Sequence, residues 1–402
     1  MMWFEWKKIF ERRLNVAAML LGYLLIGVCV FNYITQESIY YDEKTDSYIT
    51  GIAAYRLGEE RAAKQTDVIS EEYMTQLIGE IQSYHMDLES DDAYSEVIRP
   101  LGDIFYFAAK NYTDMRADIM DRNALNAVDL TEGARFYEQR MKKITDYLNM
   151  DFSYGNYKEA EKAYWLRKAE DTVTPFRWGS TSVMNSVLYT VEIGFYLWFV
   201  IIICTSSVFS SEYESGAALL LLTTKYGKDR LIWSKIAVTV LFTVGYLSVG
   251  ILAGVGVIGL LLGFTGANLP VQLWNSVIPY NLSVGQVCLG TFAIVLLIGL
   301  ALVLVLLCCS ARLRSSLATL VIGGTILIAP AFFPMSKKSG LWNHINYLFP
   351  VRVMDFKKML GSFVSYPVGD CVIPYVWMMV IVYAVIGGVA LLLIRKGFVK
   401  ER

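Results

Sequence analysis

Few residues of this 402-residue chain have the types and spacing that chemistry needs. Glu192 is the one ionisable side chain inside its apolar runs. A carboxylate is costly in hydrocarbon and usually faces a bundle interior or an aqueous cavity, so Glu192 is a candidate for a translocation path. It stands about five residues from the outer end of its run, roughly 7–8 Å at 1.5 Å per residue, so an interfacial position is the competing reading. The only histidines are His85 and His344, and neither CxxC nor HExxH occurs; no metal site and no histidine-based catalytic centre is expected. The pairs Glu59-Glu60, Glu71-Glu72 and Asp91-Asp92 read as solvated surface. Asn111-Tyr112-Thr113 and Asn281-Leu282-Ser283 match the glycosylation pattern, which is too short to carry weight. A phosphate-cradling loop needs GxxxxGK[ST]. The single Gly-Lys pair, Gly227-Lys228, has Leu222 at the required glycine and is followed by Asp229. A GxSxG elbow is absent too. No catalytic residue and no bound cofactor is expected, and if the protein works on ATP another chain must bind it.

The elements that would position these residues are membrane spans. The chain is 55% hydrophobic and 18% charged, against roughly 25% charged in soluble domains. Six apolar runs lie at about 14–34, 187–208, 236–263, 286–309, 316–333 and 372–394, near the ~20 residues that cross a hydrocarbon core. Gly323-Gly324 and Pro330 predict a kink or break towards the end of the fifth. The first run is too long for a signal-peptide core and has no cleavage site behind it. Residues 1–13 mix Trp3, Trp6 and Phe10, on one helical face, with Lys7, Lys8, Arg12 and Arg13; this reads as an interfacial helix.

Between the first two runs lie residues 35–182, with 28 acids, 17 bases, 14 of the 26 tyrosines and no cysteine. Four stripes at helical spacing mark it as mostly helical. They are Leu101 to Ile119, Tyr73 to Leu88, Phe136-Met141-Ile144-Leu148 and Tyr157-Ala160-Tyr164. The tyrosines read chiefly as packing between helices. Residues 334–371, with Pro334, Pro350 and an amphipathic pattern (Val351, Met354, Met359, Leu360, Phe363), separate the last two runs.

Lysines and arginines of short flanks mark the cytoplasmic side. Both termini, the turn at Arg312 and Arg314, and the segment holding Lys225, Lys228, Arg230 and Lys235 then lie inside. Residues 35–182 and 334–371 lie outside. The fold class is an all-α polytopic membrane protein of six transmembrane helices, an N-terminal interfacial helix and a mostly helical extracellular domain. Residues 183–402 carry spans 2–6.

The stretch 209–236 joins acids (Glu212, Glu214), Gly216, the leucines 219–222, Thr223-Thr224 and a basic cluster. With the acids at its start and the bases at its end, a short amphipathic helix here suits the helix dipole and a contact with a soluble partner.

These residues carry a resemblance. The FEWKKI helix (Glu5, Lys7, Lys8), six spans and E-x-E-x-G…LLTT…K-x-x-R…K after the second span together resemble permease subunits of type-2 ABC exporters. Glu212, Glu214, Gly216, Leu221, Leu222, Thr223, Thr224, Arg230 and Lys235 fit that pattern. Ala217 stands where threonine is common and Lys225 where proline is common. Asn346 to Arg352 resembles the family's stretch between the last two spans. The large insertion after the first span looks like the sodium-exporter or bacteriocin-immunity branch. The resemblance covers about 1–34 and 183–402. It implies a homo- or heterodimer of permeases, membrane lipid around it, and two cytoplasmic ABC ATPase subunits that hold ATP and Mg. It also implies a coupling helix at about 209–230, which includes Thr223, Thr224, Lys225 and Arg230, and a substrate path at the dimer interface. No nucleic-acid partner is expected. The competing readings are a membrane sensor or scaffold with a ligand-binding extracellular domain and, less well supported, a membrane-embedded enzyme.

Overall fold

A computed structural model describes residues 2–42, 45–115, 117, 119–224, 229–369 and 371–399. Helix accounts for 69% of it, and sheet is confined to three two-stranded antiparallel ladders. The chain is therefore an all-α protein. Among the described residues five helices are long and apolar enough to cross a membrane: Arg13–Gln36, Ser182–Glu214, Arg230–Leu262, Val284–Leu313 and Tyr375–Ile394. It is a multi-pass membrane protein.

The run expected at 316–333 is shorter. It forms the helix Ser316–Ile328 and a 3-10 turn Ala329–Phe332, because Pro330 has no N–H to continue the ladder. The second run starts five residues earlier than expected, at Ser182, and is interrupted. Helix Ser182–Glu192 ends at Ile193-Gly194, and Phe195–Thr205 resumes. Gly194 is required there: a Cβ would lie 2.6 Å from the Ile251 Cδ1 and 2.8 Å from the Val191 carbonyl.

The N-terminal helix Met2–Glu11 buries Glu5 and Ile9 against the bundle. Trp3, Phe4 and Phe10 are exposed, whereas Trp6, expected on one face with Trp3 and Phe10, packs partly buried against the core.

The segment between the last two apolar runs packs on the helices around it. Helix Gly340–Tyr347, the 3-10 turn Pro350–Asp355 and helix Phe356–Leu360 fold back into the bundle. Pro350–Asp355 packs against Ser182–Glu192, Phe195–Thr205, Val284–Leu313 and Ser316–Ile328. Val353, Phe356, Met359, Leu360 and Phe363 are buried, whereas Val351 and Met354 are only half-buried.

The segment between the first two spans is mostly helical, as its stripes predict: Ile52–Gln65, Glu71–Ser83, Asp103–Tyr112, Phe136–Leu148 and Glu159–Glu170. Two stripes differ. Leu101 to Ile119 is not one helix: Gly102 (φ +59°) begins it, Tyr112 ends it, and Ile119 is 82% exposed. In Glu159–Glu170 the buried face is Glu161, Trp165 and Ala169, not Ala160 and Tyr164.

This domain docks on the loop between the third and fourth spans. Ile144, Leu148, Trp165 and Ala169 share an apolar cluster with Val277 and Phe363. At its edge Arg140, 2% exposed, donates to the carbonyls of Ala169 (3.1 Å), Ile278 (3.4 Å) and Ser276, and to the Thr172 hydroxyl (3.2 Å). Burial pulls the guanidinium down to about 10. Asn111 is fully buried. Its amide donates to the Phe136 carbonyl (2.9 Å) and accepts from the Ser276 hydroxyl (2.8 Å), so it cannot carry a glycan in the folded chain.

Lys143 donates to the Lys110 carbonyl. Burial, with repulsion from Lys110, pushes its ammonium from 10.5 down to about 8, against Asp114. Between those values the unfolded chain holds a proton that the folded chain has shed, so stability rises with pH through this window. Lys143→Met is expected to flatten that rise. Thermal unfolding at about pH 7 and about pH 9.5 checks it; an unchanged slope would remove Lys143 as its source.

Candidate functional site

The candidate coupling stretch is two short helices, not one. Ser210–Glu214 is separated from Ala217–Thr223 by Gly216 in the left-handed region (φ +74°). Glycine takes that conformation without the Cβ clash that other residues meet.

Glu212 does not face solvent. It is 6% exposed and closes a buried cluster with Glu5, Lys8 and Lys235. The Lys235 ammonium, 1% exposed, donates to Glu212 Oε1, Glu5 Oε2 and the Val208 carbonyl, each at 2.9 Å. Lys8 donates to Glu212 Oε1 (2.8 Å) and Glu5 Oε1 (3.3 Å). Two acids and two bases balance, and each buried charge is hydrogen-bonded, which is the condition for burying them at all. Burial works against the charge on Lys8. The hydrogen bond to Glu212 and the fields of Glu5 and Glu212 outweigh it and hold the ammonium above the ordinary lysine value. Lys7 lies apart, on Glu11 (3.0 Å) at the surface.

Glu214 is exposed, yet it also bonds within the chain. Its two oxygens accept from the Ser316 N–H (2.7 Å) and hydroxyl (2.9 Å), at the start of helix Ser316–Ile328. There a carboxylate satisfies a helix N–H that has no partner within the helix. Ser310 accepts from the Phe209 and Ser210 N–H groups (3.2 and 3.0 Å) and donates to the Ser206 carbonyl (2.9 Å). Arg314 stacks on Tyr213, 4.6 Å from the ring centre. The node 206–214 is thus tied to the N-terminal helix, to Lys235 of the third span, to the fourth span and to helix Ser316–Ile328.

Beyond the node the chain turns outward. Gly216, Leu220, Thr223, Thr224 and Arg230 are exposed, Leu221 is half-buried and Ala218 is buried. Lys225 lies outside the described residues.

Glu192 is remote from this node. It ends the helix Ser182–Glu192, and its Oε1 is buried with no hydrogen-bond partner. Lys357, on the folded-back segment, lies beside it. The Lys357 ammonium donates to Asn185 Oδ1 (3.0 Å) and lies 4.8 Å from the centre of the Trp274 ring. Sequence reasoning missed Lys357 and Arg140, because neither breaks a periodic pattern; it placed Lys235 in a basic cluster with Arg230 and did not anticipate its burial. Among the described residues no three of His, Cys, Asp and Glu gather in a set that could hold a metal ion. Comparison with family models, with curated proteins and with solved structures found no match.

Proposed function

We propose that this chain is the permease subunit of an ABC exporter, moving a peptide, lipid-like, drug or ion substrate outward with energy from a separate ATPase subunit. Both termini are cytoplasmic, the helix Ser316–Phe332 completes six spans, and the domain between the first two spans is extracellular. The ATPase seats against 215–230, where Gly216, Leu220, Leu221, Thr223, Thr224 and Arg230 form the contact. A second permease copy or a related chain completes the transporter, and Glu192 belongs to the path.

One observation carries the reading: the node 206–214 is bonded to four other helices, while the segment after it projects outward. A push on Ala217–Thr223 reaches those helices through the Lys235 cluster and the Glu214–Ser316 cap, which suits a mechanical coupler. Glu212 and Glu214 then act by holding the coupler, rather than by touching the partner.

Gly216→Lys tests this. A Cβ at Gly216 meets nothing within 4 Å, so the fold and insertion should survive with about 1–2 kcal/mol of local strain. The variant should retain about tenfold less ATPase on the purified permease, the equivalent of about 1.4 kcal/mol. Full retention and full ATP-driven transport by Gly216→Lys would refute the coupling role. Failure of the wild-type chain to co-purify with any ATPase would refute the exporter reading.

A further inference from the structure

At the far end of the bundle from the termini, the helical domain and the span ends line a half-open chamber of about 410 Å³. A second chamber of about 280 Å³ adjoins it, and Asp103, Tyr106, Ser182, Asn185 and Lys357 line both. Together they lie within the ~300–1,000 Å³ range of ligand sites.

Their charge runs against their surroundings. The domain as a whole has 28 acids to 17 bases. The chambers bring together four cations, Arg61, Arg99, Lys110 and Lys357, with two acids, Glu37 and Asp103. Among the described residues none of these cations is ion-paired, and Asp103 already accepts from the Tyr40 hydroxyl (2.7 Å). The guanidiniums are held by rings and carbonyls instead. Arg99 lies 4.2 Å from the centre of the Tyr41 ring, and its Nε is buried without a partner. Arg61 donates to the Arg99 carbonyl (3.3 Å). Arg61 and Arg99 thus lie against aromatic rings without an anion, and Lys357, over the Trp274 ring, has only the Glu192 carboxylate beside it.

We infer that this chamber binds an amphipathic organic anion, its acidic head among Lys357, Lys110 and Arg99 and its flat or apolar body against Tyr40, Tyr41 and Tyr106. Burial pulls Lys357 down to about 8, with Glu192 opposing and Lys110 adding to the shift, so a bound anion would repair an incompletely compensated charge. It would also share Lys357 with Glu192, beside the break at Ile193-Gly194, which links occupancy to the second span. The inference does not depend on the exporter reading, since an outward-facing sensor would use the same chamber.

The test uses the full chain in phosphatidylcholine nanodiscs. Carboxyfluorescein, a planar aromatic anion, is titrated by fluorescence anisotropy beside rhodamine, a cation on the same ring frame. Saturable carboxyfluorescein binding is expected, with rhodamine about tenfold weaker or worse. Lys357→Gln and Arg99→Gln should each weaken the anion about tenfold, the scale of a lost charged hydrogen bond, and Lys357→Arg should retain it. Unfolding midpoints check each variant. Lys110→Gln, whose ammonium makes no described hydrogen bond, serves where the others fail to fold. Competition by added phosphatidylglycerol would assign the head to a lipid, and its absence to a soluble organic anion. Equal binding of both dyes, or full affinity in the glutamine variants, would overturn the inference.

Discussion

Lys235→Met is expected to be the most damaging single substitution on the terminal side of the bundle. It leaves Glu5 and Glu212, 6% exposed each, with only the half-exposed Lys8 between them. Removing one member of a buried charged group costs about 3–5 kcal/mol, because its partners stay buried and uncompensated. The N-terminal helix is held by Glu5 and Ile9, so it should detach first. A fall in the thermal unfolding midpoint in detergent, and new protease cleavage near residues 11–13, would report this. The triple variant Glu5→Gln, Glu212→Gln, Lys235→Met should recover most of the lost stability, since neutral groups do not need the cation and the effects of contacting residues do not add. A single variant as stable and as protease-resistant as the parent would refute the structural role of the cluster.

Arg140→Met should have the second-largest effect, at the opposite end. The side chain is 2% exposed, and its donors go to carbonyls and a hydroxyl that link the helical domain to the loop between the third and fourth spans. Each acceptor left buried and unpaired costs about 1–3 kcal/mol. Hydrogen exchange should rise in Glu159–Glu170 and in 270–283, while Val284–Leu313 stays protected. Arg140→Lys should not rescue docking, because a point charge cannot reach four acceptors that a guanidinium fork spans. Unchanged exchange in both segments would show that the apolar cluster around Trp165 holds the domain alone.

These two residues show how far the sequence could be read. The stripe Phe136-Met141-Ile144-Leu148 located its helix, but Arg140 lies between stripe positions, and its acceptors are up to 138 residues away. Lys235 stood in a basic cluster with Lys225, Lys228 and Arg230. Nothing local separated the buried lysine from the exposed arginine at 230. The coupling stretch was legible as a charged break between apolar runs. That Glu212 is buried was not, because Glu5 and Glu212 meet only when the N-terminal helix folds back on the end of the second span.

Chain-local physics set the rest. Apolar runs near 20 residues become helices because backbone groups in hydrocarbon must bond within their own segment. The stripe Phe136-Met141-Ile144-Leu148 becomes a helix face because side chains three and four apart share a side. Pro330 ends its helix for want of an N–H. These outcomes follow from neighbours within a few turns, so the sequence determined them alone. Which charges are buried together, where residues 350–360 insert and what lines the outer chamber depend on groups tens to hundreds of residues apart. Only the tertiary structure decided those, because the free energy of a buried charge is set by the partners that packing brings to it.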